Sequence, residues 1–551
     1  MSQLFYEIEF LEDSIDINGL QFSKSVRVVE TLGQKKIREH YLGFLELEEI
    51  YQKIEKGEKI DYSRVYIKNF SLKEYRKSRE IAEDEPVKIP WLSIKDSLFD
   101  CESITDFSKA EFQDGVSLKR CAYMHGTLDF THTKFYGGQA VFSDSRFQSH
   151  QTTFQYAEFH TKEVHFENSN FDGSVVSFIN ALFKCEVVNF KRCNFNESKV
   201  EFHFAEFGDG LKTFEKMKFY GPVLDFRRVD FGNGKVDFRR SLIGKGHITF
   251  EESELTGGKL TFRLSKFEGG QLSFRRTNFG PGEANFDHIV FGCRRISFEG
   301  STGNLISLRN CDIDSSLDLR IKSVHTIDLT ASHLHAITDL SFLKPDALKF
   351  LVLTEVRNLG KIIIDWKKNN VEALIADQDC SDPEKADQFN IIKDNFTING
   401  QYADEDHAYV NYKRYEHKTM LRQNLDKYKS AKPFIHIGYV LRSLVFDKMG
   451  LFATSPTRVL LSMIVVIFLF AFAYMIVFYL GHGELINSVD ASDGLNIFDK
   501  SLYHSAITFF TIGYGDFYPT SFNRAISASE GWVGVFMMSY FTVAFVRKAL
   551  R

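Results

Sequence analysis

Two hydrophobic rhythms divide the chain. Between Phe130 and Phe298 phenylalanine stands at every twelfth residue, at 15 of 15 positions, and a second series offset by five, from Phe135 to Phe291, is phenylalanine at 12 of 14, with Ile243 and Leu255 the exceptions. Phenylalanine makes up 55 of 551 residues, so a register this long excludes coincidence. Two residues before a first-series Phe the chain usually has Val, Leu, Ile or Thr, as in VHF, VSF, VNF, LDF and ISF; two before a second-series Phe comes a mostly small residue, as in Thr133, Ser145, Ala157, Ser169 and Ala181. Side chains at i and i+2 of a strand share a face, so each unit reads as strands feeding large residues into one interior. After about residue 300 Leu and Ile replace Phe, as in LISLRNCDIDSSLDLRI and VHTIDLTASHL, which reads as a continuation or cap.

The second rhythm is helical. Residues 384 to 424 carry apolar positions at helical spacing on either side of Asn399-Gly400, a turn signal, and predict a helical hairpin. Phe434 to Met449 is amphipathic and suits a helix lying in a membrane interface. Residues 459 to 480 hold no charge over 22 positions, enough at ~1.5 Å per residue to cross a ~30 Å hydrocarbon core. Residues 525 to 546 form a second candidate span that carries one acid, Glu530. Between the spans the stretch DKSLYHSAITFFT runs into TIGYGD and a Phe-Tyr-Pro exit, a pattern for a re-entrant helix and loop, because non-helical backbone at membrane depth is tolerated only where it lines a protected cavity. Upstream, residues 1 to about 85 predict a separate α+β segment containing a charged helical run, QKKIREHYLGFLELEEIYQKIEKGEKI, and ending at the Glu83 to Pro86 boundary.

These patterns carry two resemblances. Small then large, five residues apart, resembles the pentapeptide repeat, here stretched by two residues in every second unit; that family implies a right-handed, four-sided parallel β-helix with its large residues stacked inside. YHSAITFFTIGYGDFYP between two spans resembles the pore module of two-transmembrane potassium channels, over about 100 of 551 residues. The resemblance implies a selectivity filter at Thr511, Ile512, Gly513, Tyr514, Gly515 and Asp516. Potassium would be held by the Thr511 hydroxyl and carbonyl and by the carbonyls of Ile512, Gly513 and Tyr514, while Asp516 would anchor the outer mouth. A filter turns successive carbonyls toward one axis, and Gly513 and Gly515 can adopt the positive φ angles this requires. The related non-selective channels lose the aromatic residue that this chain keeps at Tyr514. One module supplies a quarter of the ring, so a homotetramer is implied.

Two residues of the second span have gating and structural readings side by side: Gly534, a flexible point or a close helix contact, and Glu530, a gating or proton-sensitive acid or a carboxylate bonded to the pore-helix region. His504 similarly reads as a titrating group or an aromatic-type contact to a neighbouring helix. The domain plan is 1–85 α+β; 86–340 β-helix with cap; 341–430 cap and helical hairpin; 431–456 interfacial helix; 457–551 pore module.

Charge then orients the chain and trims the functional classes. Lys427, Lys429, Lys432, Arg442, Lys448 and Arg458 precede the first span and Arg547, Lys548 and Arg551 follow the second, whereas the intervening loop has Glu484, Asp490, Asp493, Asp499 and Asp516 against Lys500 and Arg524. The positive-inside rule places both termini in the cytoplasm of a plasma or inner membrane protein. No helix carries Arg at every third position, so a voltage sensor of that kind is not expected. Residues 101–300 balance 26 Lys plus Arg against 26 Asp plus Glu and the net charge is −5, which argues against nucleic acid as a partner. The doublets Arg227-Arg228, Arg239-Arg240 and Arg275-Arg276 recur in register; pairing with Asp225 and Asp237 is their default use, contact with anionic lipid or another subunit the sharper one. Seven cysteines without a CxxC pair fit reduced cytosolic thiols. No P-loop, zinc spacing or catalytic triad pattern is visible, so neither an enzyme nor a cofactor beyond the permeant ion is expected. The function expected is a potassium channel whose solenoid assembles or gates the pore, with a membrane-anchored scaffold or a non-selective cation channel as alternatives.

Overall fold

The computed structural model describes residues 4–33, 35–341, 344, 346–428, 432–488 and 494–551; Lys429, Asp490 and Asp493 of the orientation argument lie outside them. The chain divides into two compact units, Met1–Gln378 and Asp379–Arg551.

The first unit is a parallel β-solenoid entered through an antiparallel sheet. Strands Leu4–Leu11, Ser25–Leu32 and Lys35–Phe44 pair antiparallel, and from Gly43 onward, where Phe44 pairs with Tyr66, the ladder becomes parallel. It ends at the strand Lys361–Ile363. The coil thus extends beyond residues 86–340 at both ends: about 13 turns over residues 43–363, roughly 60 Å at ~4.8 Å per rung. The 34–60 segment is a correction. Only its second half is helical, as α1 (Leu47–Glu55), while Lys35–Phe44 is a strand. Pairing with Ser25–Leu32 overrides its local helical propensity. A second helix, α2 (Leu72–Ser78), is capped by Ser71, whose hydroxyl accepts from the Glu74 amide.

Rungs repeat every 24 residues in the Phe region, as the pairs Phe135 with Phe159 and Gly210 with Gly234 show. Alternate members of the first Phe series therefore stack: Phe130 on Phe154 at 4.7 Å and 2°, Phe166 on Phe190 at 4.8 Å and 2°. The two resulting columns meet edge to face, as Phe130 and Phe142 do at 5.5 Å and 81°. Both geometries suit the aromatic quadrupole, and the rings are fully buried.

The small residues before the second series do more than leave room. Ser169, Ser241, Ser265 and Thr277 are buried and donate to the carbonyls of Phe142, Phe214, Phe238 and Phe250 at 2.7–3.1 Å. Two residues after each first-series Phe the backbone turns left-handed, at Asn168 (φ 58°), Arg192 (57°), Arg228 (53°) and Arg240 (58°) among others. The periodic core imposes this corner on residues that rarely adopt it. Arg227 and Arg239 pair with Asp225 and Asp237 at 2.6 Å, Arg228 and Arg276 share Glu252, and Arg275 reaches Glu299 at 3.2 Å, so five of the six doublet arginines are paired within the solenoid.

Lys212 breaks the rule that the position two before Phe is apolar. It occupies the ladder position of Val188 and Val236, is 1% exposed, and donates through Nζ to the carbonyls of Asn233 at 2.6 Å and Gly210 at 3.3 Å. Burial lowers its pKa to about 8. Six of the seven cysteines are buried and all seven are free thiols. After the last rung, α3 (Val371–Ala376) caps the coil with Val371, Leu374 and Ile375 buried.

The second unit is helical. The hairpin is α4 (Asp382–Ile398) and α5 (Tyr402–Lys427), joined through Gly400 at φ +69°. The start of α4 has a capping box: the Ser381 hydroxyl accepts from the Glu384 amide while the Glu384 carboxylate accepts from the Ser381 amide. The segment α6 (Lys432–Arg442) leaves Phe434, Ile437, Val440 and Leu441 exposed and runs into a π-helical turn, Ser443–Lys448. Then come α7 (Pro456–Tyr479), α8 (Ile497–Phe509) and α9 (Asn523–Ala549).

Candidate functional site: a re-entrant loop between two membrane-capable helices

Helices α7 and α9 are each long and apolar enough to cross a membrane. The first begins where Ser455 caps it and Pro456 takes the first helical position, a site at which proline's missing N–H costs nothing. The second gathers Arg547 and Lys548 in its last turn, complementing the negative end of the helix dipole. Between them α8, only 13 residues long, packs on both through Leu502, Ala506 and Phe509, against Val459, Met463, Ile467 and Met537.

The stretch Thr511–Asp516 follows α8 directly and lies outside any helix or strand. Thr511, Gly513 and Gly515 have φ of 57°, 58° and 79°, so left-handed residues alternate along it. The chain leaves through Phe517–Pro519, which pairs antiparallel with Leu485–Asn487, and the Ser488 amide donates to the Asp516 carbonyl at 2.8 Å. The Asp516 carboxylate accepts from the Phe517 amide at 3.1 Å. Ile512 and Tyr514 are 51% and 73% exposed in the single chain.

Behind the loop, one buried carboxylate joins three helices. Glu530 of α9 is fully buried; it accepts from the Tyr474 hydroxyl of α7 at 2.7 Å and from the Ser505 hydroxyl of α8. His504 packs its ring edge-on against Tyr474 at 5.1 Å, the aromatic contact weighed from the sequence. A Cβ on Gly534 would stand 2.1 Å from the Phe509 carbonyl oxygen, so glycine is what allows α9 to cross the end of α8.

A charged cluster that sequence reasoning missed sits at the other end of α9. Glu405 and Asp406, near the start of α5, are buried. Arg551 reaches Glu405 at 2.5 Å and Asp406 at 2.8 Å; Arg547 reaches each at 3.2 Å; Lys548 reaches Asp406 at 3.1 Å. The Arg547 guanidinium also lies 4.2 Å from the Tyr409 ring centroid, near enough for a cation–π contact. Further along α5, Arg414 forms a two-pronged contact with Asp447 in the π-helical turn at 2.9–3.2 Å, and Tyr540 of α9 accepts from the Ala453 amide and donates to the Phe446 carbonyl. The hairpin, the turn and the end of α9 thus form one bonded assembly.

A family model described as "Ion channel" matches residues 462–551. The C-terminal region is an ion-channel domain. The chain joins a parallel β-solenoid that fits a pentapeptide-repeat domain to a C-terminal region with two membrane-capable helices that fits a two-transmembrane channel. Protein LctB of Bacillus caldotenax is 37% identical over 70 residues, 12% of this chain and 52% of that protein, so the chain spans about half the length of the curated relative it matches. No solved structure matches the chain.

Proposed function

We propose that the chain forms a homotetrameric potassium-selective channel in which Thr511, Ile512, Gly513 and Tyr514 from four copies line the filter. The observation that carries this reading is the alternation of left-handed residues through Thr-Ile-Gly-Tyr-Gly-Asp, directly after a short buried helix held between two membrane-capable helices. Such a backbone presents carbonyls in succession to an ion, which is how a filter replaces the hydration shell. The exposure of Ile512 and Tyr514 in one chain, together with Trp532, Val543 and Phe545 on α9, leaves surfaces for neighbouring copies and lipid. Glu530 serves as a brace that fixes α8 against both spans, and Gly534 as the close contact that seats it. Both termini lie in the cytoplasm of a plasma or inner membrane protein.

The N-terminal region acts on the pore through the hairpin. Five basic-to-acidic contacts hold the end of α9 to α5, so a displacement of α5 is felt at the cytoplasmic end of the pore-lining helix. The deciding measurement is the reversal potential of the purified protein in a planar bilayer with potassium on one side and sodium on the other. A value near the potassium equilibrium potential is expected. Reversal near zero would make the pore non-selective. Absence of current from both the full chain and a chain lacking residues 1–430 would favour a membrane-anchored scaffold.

A further inference from the structure

On one face of the solenoid, two successive rungs bring imidazoles over carboxylates. The strand His333–Leu334 lies parallel to Asp312–Ile313, with His333 opposite Asp312 and Leu334 opposite Ile313. Leu334 and Ile313 are buried in the core, so the alternation of a strand turns Asp312, Asp314, His333 and His335 outward together. Their donor atoms converge. His335 Nε2 is 2.8 Å from an Asp312 carboxylate oxygen and 3.9 Å from one of Asp314, and His333 Nδ1 is 3.9 Å from the same Asp312 oxygen. Donor atoms of Asp312, His333 and His335 all fall within 4.8 Å of one another. Donors bound tetrahedrally to zinc at ~2.0–2.1 Å stand about 3.3 Å apart, a spacing that the two Asp312 distances bracket.

The surroundings set this cluster apart from the rest of the rod. Four aspartates on other rungs are neutralised by arginine: Asp225 by Arg227, Asp237 by Arg239, Asp287 by Arg309 and Asp318 by Arg320. Among the described residues, Asp312 and Asp314 have ion-pair partners only in His333 and His335. Two carboxylates of one rung faced by two imidazoles of the next form a mixed nitrogen and oxygen donor set, which favours zinc and its first-row neighbours over magnesium or calcium. The scaffold is rigid, because the Asp312 rung is hydrogen-bonded to Val290–Phe291 below and the His333 rung to Arg357–Asn358 above. Side-chain rotation alone therefore completes the site.

We propose that Asp312, His333 and His335 bind a divalent first-row transition-metal ion, zinc in the first instance, with Asp314 as the fourth ligand. The ion cross-links two adjacent rungs and takes the place of the His335–Asp312 hydrogen bond. The assignment stands apart from the ion-channel reading, since it concerns the solenoid alone.

The test is calorimetric titration of the detergent-solubilised full chain with zinc chloride, alongside the variants His333→Ala/His335→Ala and Asp312→Asn, each verified as folded by circular dichroism. One zinc per chain is expected, with affinity at least about tenfold weaker in both variants, and cobalt should give the visible absorption of a tetrahedral site in the wild type only. Equal zinc affinity and stoichiometry in the double-histidine variant would overturn the assignment, as would displacement of the bound zinc by millimolar magnesium.

Discussion

Replacing Glu405 by Gln and Asp406 by Asn removes both negative charges at the start of α5 while keeping shape and hydrogen-bonding capacity. The two carboxylates are 5% and 12% exposed, and the arginines that reach them 19% and 25%. The cluster therefore lies between an exposed pair, worth up to about 1 kcal/mol, and a fully buried one, whose disruption costs about 3–5 kcal/mol. A value of about 2 kcal/mol per chain follows for losing the cluster. Were the contacts made equally in conducting and closed states, that loss would appear only as stability. If they belong to one state, the same energy shifts the equilibrium between the states by about 30-fold per subunit.

Single-channel recording in bilayers of defined lipid separates the cases, with open probability read at fixed potassium and several ionic strengths. Because all partners are charged and partly exposed, raising salt should move the wild type toward the variant. Exchanging the charges, with Glu405→Arg and Arg551→Glu together, should restore part of the loss that either change produces alone. Open probability and thermal stability both within twofold and one degree of wild type in the Glu405→Gln/Asp406→Asn chain would refute the view that this cluster couples hairpin to pore.

Gly513→Ala should abolish potassium flux while leaving an assembled protein, because alanine is strained at φ 58°; normal flux would remove the filter assignment. Gly534→Ala should destabilise the pore module by several kcal/mol, since its Cβ meets the Phe509 carbonyl oxygen at 2.1 Å; detergent melting curves decide it. Phe190, stacked on Phe166 and Phe214 at 4.8 and 5.1 Å, should cost about 3–5 kcal/mol as Ala and more as Asp, which would bury a lone carboxylate; unchanged thermal unfolding of the full chain by circular dichroism would count against the stacked core. Lys212→Met should stabilise the solenoid by up to roughly 3 kcal/mol at pH 7. The Lys212 pKa falls from 10.5 unfolded to about 8 folded, so the penalty it imposes is full below pH 8 and gone above about 10.5, and the variant's advantage in chemical denaturation should fade across that window.

The solenoid was legible because every rung repeats one physical problem. A ring stacked at every coil leaves its period in the residue list, and the strands and the interior face follow from that period, while the rung of 24 residues is two such periods. Legibility failed where the period did. The rungs that use antiparallel pairing or α1 before Val87, and those with Leu and Ile after Phe298, carry no phenylalanine register, so the coil looked shorter than it is. The left-handed corners were invisible for a related reason: arginine, asparagine and histidine are ordinary residues, and only the core on either side forces them over. Lys212 reads as one more surface charge until Val188 and Val236 are seen beside it in the ladder.

The loop Thr511–Asp516 was legible in a different way, through glycines at alternating positions, both of which the structure places at positive φ. Its supports were half legible. Glu530 stood out as an acid in an apolar span, yet its bonds to Tyr474 and Ser505 depend on how three helices meet. The cluster at Glu405 and Asp406 left no trace at all, since an acidic first turn on a polar helix is the usual way to complement a helix dipole and its partners lie 142 residues away or more. What distinguishes it is burial, a property of the assembled unit. Residues that hold one rung or one loop repeat or crowd together in sequence; residues that join the hairpin to the end of α9 come from distant segments, so that junction is the part of this protein that only the folded chain displays.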